Sequence, residues 1–279
     1  MTYKTILVHC SDERRLPGVL GPAIAVARRC EAHLIAMSVL PPVIVDPALT
    51  PGGIVTIIDS HRKAYERERS RMKEVFESAV RAAGISAEWL AEDAGKGSVW
   101  SKIVGYGRSV DLIVAPQADP QWSYTELVEA PAELVLQSGR PVLFIPNIGN
   151  HADFGKRVLI AWNGRRESAR AAYDALPLLK LAEEVSVLWI NPEKDKTAQD
   201  IPGGDLCAAL ARHGIKCEAA AIDRPEQSVG ETLLARVRYT HADMLVMGCY
   251  GHSRLREFIL GGATQKVLAE MSVPVLMAH

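Results

Sequence analysis

Glycines near the end of the chain stand where a backbone could approach a bound phosphate. Gly248 and Gly251 follow a predicted strand, and Gly261 and Gly262 open the next predicted helix after nine intervening residues. Glycine has no Cβ, so a ligand can come close to its main chain. The free N–H groups of a first helical turn, together with the helix dipole, favour an anion. The spacing therefore predicts a phosphate-binding cradle, although either glycine pair alone is more often a simple turn.

Side chains around these glycines suggest further contacts. Arg254 and Arg256 lie in the intervening segment, near the predicted phosphates, and Thr264 offers a hydroxyl to the ligand or to the helix as a cap. Cys249 lies between two of the glycines and close to a helix start, a position that can lower the pKa of a thiol. Because the sequence places no resolving cysteine or activating base beside it, we expect Cys249 to be inert.

The chain contains an internal repeat, which predicts two domains. Three segments of the first half recur in the same order in the second: 4–12 at 156–164, 110–114 at 242–246, and 140–145 at 273–278. The offset falls from 152 residues to about 132, so the first half holds roughly 20 extra residues, which we assign to 41–58. The turn-rich stretch 147–155 predicts a linker, with domains at 1–147 and 155–279.

Short apolar runs alternate with longer amphipathic stretches in each half, a pattern typical of βαβ units around a parallel sheet. The predicted fold class is therefore α/β. In the second half we expect strands at 157–162, 185–190, 216–222, 242–247 and 273–278, and helices at 165–181, 203–213, 229–240 and 262–271. The first half repeats the pattern and includes a long helix near 60–84, on which Arg62, Glu66, Glu68 and Arg69 form a solvated face.

Charge and composition exclude several classes of protein. The 32 basic and 33 acidic residues nearly cancel, so no field of one sign is available to bind nucleic acid or an anionic membrane. The first apolar run is too short for a signal peptide or a membrane span, so we expect a cytoplasmic protein. The five cysteines are scattered and show no C-x-x-C pair, which predicts neither a disulfide framework nor a zinc site.

The joint pattern Gly248-x2-Gly251-x9-Gly261, its flanks MGCYGHSRLREFILGGATQKVL and the closing VPVLM resemble the nucleotide-binding type of universal stress protein domain. The resemblance covers the second half and, more faintly, the first. It implies two tandem doubly wound domains, each with a five-stranded parallel sheet in the order 3-2-1-4-5 flanked by helices. It also implies that ATP, with or without Mg²⁺, binds where strands 1 and 4 end, in agreement with the rule that ligands bind where strand order reverses.

The resemblance implies a nucleotide site in the second half only. The expected contacts come from three strand ends and from the glycine segment, namely Ala161, Asn163, Ile190, Met247, Gly248, Tyr250, Gly251, Arg254, Gly261, Gly262, Ala263 and Thr264. Two positions depart from the family pattern, since Asn163 replaces an acid that contacts adenine and Gly262 replaces a serine or threonine. Asn163 is expected either to contact the base or to cap the following helix. No metal ligand or catalytic residue is implied.

The first half lacks the cradle. Its Val128, Glu129 and Pro131 align with Gly261, Gly262 and Thr264, and the segment 115–120 has no glycine pair. A carboxylate at phosphate distance in a partly dehydrated cleft costs several kcal/mol. We therefore expect the first half not to bind ATP through this motif and to serve as a structural partner. A different ligand under the 41–60 segment stays open.

The sequence predicts a stress-response protein that binds adenine nucleotide as a sensor or regulator, without efficient catalysis. It has no P-loop or Rossmann glycine motif, and no general base or arginine finger for fast phosphoryl transfer is identifiable. Two alternatives stay open: a slow ATPase or nucleotidyl or phosphoryl transferase, and a structural stress protein with an empty site. Because domains of this family pair through their last strands, the apolar segments 142–145 and 275–277 predict an intramolecular pseudo-dimer. A homodimer of the whole chain also stays open.

Overall fold

In the computed structural model of the chain, residues 2–43, 50–95, 97–119, 121, 131–192, 202–224, 226–249 and 262–279 are described. They form an α/β fold in which a ten-stranded sheet lies between two layers of helices. The predicted fold class is therefore confirmed.

The strands are β1 Thr5–His9, β2 His33–Leu40, β3 Ala87–Asp93, β4 Leu112–Pro116, β5 Val142–Ile145, β6 Arg157–Trp162, β7 Glu184–Ile190, β8 Cys217–Ile222, β9 Met244–Gly248 and β10 Val275–Ala278. The helices are α1 Leu16–Cys30, α2 Pro51–Ala83, α3 Val99–Gly107, α4 Pro131–Ser138, α5 Arg166–Asp174, α6 Leu176–Leu179, α7 Gly204–Arg212, α8 Val229–Tyr239 and α9 Gly262–Glu270.

The strands form one sheet in the order β3-β2-β1-β4-β5-β10-β9-β6-β7-β8. The first half supplies β3-β2-β1-β4-β5, and the second supplies the corresponding β8-β7-β6-β9-β10, counted from the opposite edge. Neighbours within each half run in parallel. At the centre, β5 and β10 pair antiparallel, with Leu143 opposite Leu276. Instead of two separate sheets, the halves thus share one sheet that is joined through their apolar last strands.

The central strands are buried on both faces because helices cover both. In β9, Met244, Leu245 and Val246 are fully buried, and neighbouring side chains point to opposite cores. One core is covered by α1, α2, α5, α6 and α7, and the other by α3, α4, α8 and α9. A continuous apolar run is what a strand covered on both sides requires.

The long helix α2 begins at Pro51, earlier than the predicted start near 60. Proline suits the first turn of a helix because no intrahelical acceptor awaits its nitrogen, and the Thr50 side chain caps the same turn by accepting from the Gly53 N–H at 3.3 Å. On its predicted polar face, Arg62 pairs with Asp93 at 2.9 Å. Among the described residues, no helix is long and apolar enough to cross a membrane.

The helix predicted at 165–181 is divided into α5 and α6 at Ala175. Pro177 has no N–H to continue the hydrogen-bond ladder, so the chain restarts as a short helix in which Leu178 and Leu179 both bond to the Ala175 carbonyl at 2.9 Å. Leu178 and Leu179 are buried in the core, so both pieces still cover the sheet.

The prediction that the cysteines form no disulfide is wrong for one pair. Cys207 of α7 and Cys217 of β8 are disulfide-bonded, with Cα atoms 5.6 Å apart. Cys10, Cys30 and Cys249 are free and buried, as expected of small apolar side chains. The bridge ties a helix to the strand at one edge of the sheet.

Candidate functional site

The connections of the second half change direction at β6. Ala161 of β6 is aligned with Leu188 of β7 on one side and with Met247 of β9 on the other. The helices that follow β6 cover one face of the sheet, whereas α9, which follows β9, covers the opposite face. Two connections that leave in opposite directions open a crevice at the carboxyl ends of their strands, where ligands of open α/β sheets bind.

Three predicted contact residues lie on one face of the sheet at this edge. Ala161, Ile190 and Met247 all pack with the core that contains Leu233 of α8 and Val267 of α9. Met247 is buried, while Ala161 and Ile190 are partly buried. They therefore offer an apolar wall on the side of the sheet where α9 begins.

The described part of the predicted cradle is the first turn of α9, Gly262, Ala263 and Thr264. Gly262 is exposed, and a Cβ built on it would meet no atom of the described residues within 4 Å. Thr264 is buried, with 3% of its surface exposed. The first N–H groups of a helix have no intrahelical acceptor and carry the positive end of its dipole. This turn can therefore receive an anion without hindrance from a side chain at 262.

Gly230 of α8 positions this turn, and sequence reasoning missed it. A Cβ on Gly230 would lie 2.8 Å from the Lys266 Cβ and 3.2 Å from the Ala263 Cα. Lys266 also pairs with Glu231 of α8 at 3.5 Å. The two helices approach closely at their amino ends because residue 230 has no side chain. No local motif signals this role, since the neighbour comes from a distant part of the chain.

Gly248 has a structural role that differs from the predicted ligand contact. A Cβ at this position would lie 2.4 Å from the Glu167 carbonyl carbon and 2.5 Å from the Ser168 nitrogen. These are backbone atoms that cannot move aside without shifting α5. Glycine is thus required here so that the first turn of α5 can rest on the end of β9.

Asn163 closes the turn that leads from β6 into α5. Its Oδ1 accepts from the Arg165 N–H at 3.1 Å and from the Ser168 hydroxyl at 2.8 Å. Neither donor is a backbone N–H of α5, which begins at Arg166, so this turn is not the helix cap that the sequence offered as one alternative. Gly164 follows with φ of +70° and lies against the Trp189 ring, so the turn after β6 is held by both its polar and its aromatic neighbours.

Asn191 stabilises the end of β7, directly after the predicted contact Ile190. Its φ is +48°, in the left-handed region that asparagine tolerates. Its Oδ1 accepts from the Arg224 N–H at 2.6 Å, and its own N–H donates to the Ile222 carbonyl at 2.9 Å. Asparagine after a strand is a turn signal, but its partner on β8 could not be found from the sequence.

Charged groups near Gly248 do not activate the neighbouring cysteine. Burial raises the pKa of the Cys249 thiol, and the Glu167 charge raises it further. The Cys249 thiol donates to the Ala278 carbonyl at 3.4 Å. Burial alone would raise the pKa of the Glu167 carboxyl, but its hydrogen bond to Arg166 and the charges of Arg166 and His279 lower it below its ordinary value. Cys249 is therefore a protonated thiol at neutral pH, as expected of an inert side chain.

At the corresponding crevice of the first half, the described side chains form a buried polar cluster. Between the ends of β1 and β4, the Arg15 Nε donates to Asp12 at 2.6 Å, and both side chains are 8% exposed. Arg15 also donates to the Ser11 hydroxyl at 3.0 Å and to the Gln117 carbonyl at 3.2 Å. A buried guanidinium thus joins the residues that follow β1 to the residue that follows β4.

His9 lies at the same edge of the first half, at the position that matches Ala161. It is 2% exposed, and its Nε2 has no hydrogen-bond partner in the structure. Burial, and next the Arg15 charge, lower its pKa to about 3, against an opposing effect of Asp12. His9 is therefore a neutral, packed side chain at physiological pH.

Four predicted contacts, Tyr250, Gly251, Arg254 and Gly261, lie outside the described residues, as do Arg256 and the first-half positions Val128 and Glu129. Pro131, the third of the first-half positions, begins α4. Within the described ranges, no group of three or more His, Cys, Asp and Glu side chains converges as a metal site would require.

Comparison with known proteins connects this site to a family. Residues 155–279 match the model of the Universal stress protein family. A universal stress protein of Synechocystis sp. is 40% identical over 70 residues, which are 24% of this chain and 22% of the relative. The chain thus aligns with less than a quarter of that relative.

Solved structures extend the likeness to the whole fold. A universal stress protein from Archaeoglobus fulgidus superposes with a TM-score of 0.71 at 18% identity, covering 98% of this chain and 97% of that one. A protein of unknown function from Pseudomonas aeruginosa gives 0.62 at 16% identity, covering 99% and 92%. Residues 155–279 therefore form a universal stress protein domain, within a chain whose fold is that of a solved universal stress protein.

Proposed function

We propose that the second half binds an adenine nucleotide, with ATP as the first candidate, at the carboxyl edge between β6 and β9. The observation that carries the proposal is the start of α9 beside this edge, where no described residue lies within 4 Å of a Cβ built on Gly262. A helix amino end beside a change of strand order combines two features that favour a phosphate-bearing ligand. The match of residues 155–279 to the universal stress protein model supports the same conclusion.

In this proposal the phosphates lie against the first turn of α9 and the base lies near the strand ends. Ala161, Ile190 and Met247 supply apolar contact for a flat ring. Asn163 contributes less to base recognition than an acid would, because its Oδ1 already accepts two hydrogen bonds within the chain. The phosphate contacts therefore supply more of the affinity than the base contacts. Other adenine nucleotides are expected to bind in addition to ATP. Mg²⁺, where it is bound, is held by the phosphates.

We further propose that the protein regulates or senses in a stress response, in the cytoplasm, without efficient catalysis. Fast phosphoryl transfer requires a positioned base or an arginine finger. Near the site, the Glu167 carboxylate is bonded to Arg166 at 2.5 Å, and its helix α5 lies on the sheet face opposite α9. A turnover above about one per second with ATP alone or with an added acceptor would contradict this part of the proposal.

The two halves act as domains of unequal function in this proposal. The first, 1–147, does not take up nucleotide because Arg15 and Asp12 form a buried ion pair at its crevice. The second, 155–279, carries the cradle. One bound nucleotide per chain is therefore expected.

The test is direct titration of the purified chain with ATP, AMP and inorganic phosphate by calorimetry, together with mass spectrometry of any small molecule released on denaturation. Gly262→Val places a branched side chain at the first turn of α9 and is expected to weaken binding by at least about tenfold. Gly18→Val is the matched control. Gly18 lies on α1 in the first half, and a Cβ there also meets none of the described residues within 4 Å. Absence of any adenine compound, with no heat of binding for wild type, would overturn the proposal.

A further inference from the structure

Gln117, in the first half, bonds to the helix that carries the cradle in the second. Its Nε2 donates to the Leu268 carbonyl at 2.8 Å and to the Ala269 carbonyl at 3.0 Å. Both carbonyls belong to the last turn of α9, where no further helical N–H is available to them. Gln117 is 9% exposed, so these are hydrogen bonds between the halves that are shielded from water.

The Gln117 amide is fixed in orientation by its other partners. Its Oε1 accepts from the Asn147 N–H at 3.2 Å, so the amide nitrogen must be the group that faces α9. Its backbone N–H donates to the Ile145 carbonyl at 2.7 Å. The side chain therefore presents two donors to α9 from a rigid base at the end of β4 and β5.

The buried polar cluster at the first-half crevice supports the same residue. The Arg15 guanidinium donates to the Gln117 carbonyl at 3.2 Å and is itself held by Asp12 at 2.6 Å. A buried ion pair of this kind is costly to disturb, because removing one partner leaves the other charge uncompensated. The buried cluster of Asp12 and Arg15 thus holds Gln117 in place, and Gln117 in turn contacts α9.

Helix α9 is short, so its two ends move together. It has nine residues, which is about 13 Å of helix. Gln117 holds its carboxyl end, and its amino end is the turn Gly262–Thr264. Val267, between the two ends, is fully buried against the sheet. Because this middle position is held, the simplest displacement of α9 is a tilt about Val267. If the carboxyl end is released, the amino end shifts relative to β6 and β9.

We propose that Gln117 is a positioning residue for the phosphate cradle, through which the first half sets the nucleotide affinity of the second. The inference rests on the nucleotide binding proposed above. The inference assigns a role to the edge of the first half where β1 and β4 end. In place of holding a ligand, this edge supports the cradle helix α9. A merely stabilising contact would instead change the free energy of unfolding and leave the affinity of the folded protein unaltered.

Two substitutions of Gln117 separate its contacts. Gln117→Glu keeps an acceptor for the Asn147 N–H but turns carboxylate oxygens toward the two carbonyls of α9. Gln117→Met has a similar length and loses both sets of hydrogen bonds. Each is expected to raise the dissociation constant for ATP about 3- to 30-fold, with the larger effect for glutamate because it repels the carboxyl end of the helix. The Met variant covers the case in which the Glu variant does not fold.

The control is Val80→Ala, a core substitution on α2 in the first half, which lowers stability without touching α9. All variants are compared by calorimetric titration with ATP at a temperature where circular dichroism shows each to be folded. Weaker binding in both Gln117 variants, with wild-type affinity in Val80→Ala, is the expected result. Wild-type affinity in the Gln117 variants, whatever their melting temperature, would overturn the inference and leave the proposed function standing. Absence of ATP binding in the wild type would contradict both the proposed function and this inference.

Discussion

Gly248 and Gly262 belong to the same sequence pattern but have different surroundings. A Cβ on Gly248 would collide with the backbone of Glu167 and Ser168, at 2.4 and 2.5 Å, whereas one on Gly262 would have no described residue within 4 Å. The first glycine is therefore required by the packing of α5 on β9. The second has no such requirement among the described residues.

Gly248→Ala is expected to lower the free energy of unfolding by about 3 kcal/mol, because overpacking against backbone forces α5 to shift. Gly262→Ala is expected to change it by no more than about 0.5 kcal/mol, since the added methyl group meets none of the described residues within 4 Å. Urea unfolding followed by circular dichroism measures both. Equal losses in the two variants would contradict the separate roles assigned to these glycines.

His9 makes stability depend on acid. Its pKa is lowered to about 3 by burial, next by the Arg15 charge, with Asp12 opposing, whereas an unfolded histidine titrates near 6.5. Between these values the unfolded chain binds a proton that the folded chain does not, so stability falls as the pH drops below about 6.5. The loss amounts to about 1.4 kcal/mol per pH unit, or about 2 kcal/mol at pH 5.

The check is urea unfolding at pH 7 and pH 5 for wild type and for His9→Ala, which copies the residue at the matching position 161. The variant is expected to lose about 2 kcal/mol less than wild type between the two pH values, whatever its stability at pH 7. If His9→Ala lost as much stability between pH 7 and pH 5 as wild type does, the acid sensitivity would arise from groups other than His9.

The packing of α8 against α9 carries the next prediction. In Gly230→Ala the new methyl group would lie 2.8 Å from the Lys266 Cβ and 3.2 Å from the Ala263 Cα, so the helices must separate at their amino ends. We expect weaker ATP binding, by about tenfold, because the first turn of α9 moves. Gly105→Ala on α3, where a Cβ meets nothing within 4 Å, is the matched control. Titration of the two variants side by side would reveal whether the position of this turn matters for affinity.

The disulfide between α7 and β8 adds to the stability of the second half. It closes a loop with a sequence separation of 10 residues, for which the chain-entropy estimate is about 3 kcal/mol. Reduction with dithiothreitol is expected to lower the free energy of unfolding by about that amount, and Cys207→Ser is expected to do the same without reductant. A wild-type protein equally stable in both conditions would show that the bridge contributes nothing to folding.

The strands of the second half could be predicted because each is identified by a local pattern. The observed bounds of β6 to β10 differ from the predicted ones by at most two residues, since a buried central strand requires an apolar run of that length. The break at Ala175 and the early start of α2 depend on Pro177 and Thr50. Both residues are local signals, but their effect on the helix bounds is clear only once the residues that they contact are known. The Cys207–Cys217 pair depends on which helix packs beside which strand, and no local pattern records that.

The candidate site was predicted unevenly for the same reason. Gly262 and Thr264 at the start of α9 follow from spacing, and Asn163 from its place after a strand. The contacts of Gly230 with Ala263 and of Gln117 with Leu268 join parts of the chain that are far apart in sequence. Such contacts are fixed by the packing of the two halves, so single-sequence patterns cannot reveal them.

Across the whole molecule, the two halves share both hydrophobic cores, one on each face of the sheet. Residues of both halves contribute to each core, and Phe154, in the predicted linker, is only 1% exposed. The Arg29 guanidinium donates to the Phe154 carbonyl at 2.7 Å, and the Tyr3 hydroxyl donates to the Asp174 carbonyl at 2.6 Å. The linker is therefore part of the packed structure, and the halves meet through side chains as well as through the sheet.

The junction of β5 and β10 determines what a separated second half should do. In the intact chain Leu276 of β10 faces Leu143 of β5, and both are fully buried. Expressed alone, residues 155–279 expose this apolar strand edge with its unpaired N–H and C=O groups, which is a template for pairing with another chain. Because the pairing is antiparallel and the two strands are similar, the β10 of a second copy can take the place of β5. We expect the fragment to form a dimer.

Light scattering measures the mass of the fragment, and the separately expressed residues 1–154 serve as competitor. Addition of that fragment is expected to replace the dimer by a one-to-one complex, because it also supplies the Tyr3 hydroxyl to the Asp174 carbonyl and Phe154 to the shared core. The cognate pairing therefore has packing that the self-pairing lacks. A fragment 155–279 that stays monomeric at high concentration, or a dimer that the competitor does not displace, would mean that β10 is not stabilised by β5 to the extent that the shared sheet implies.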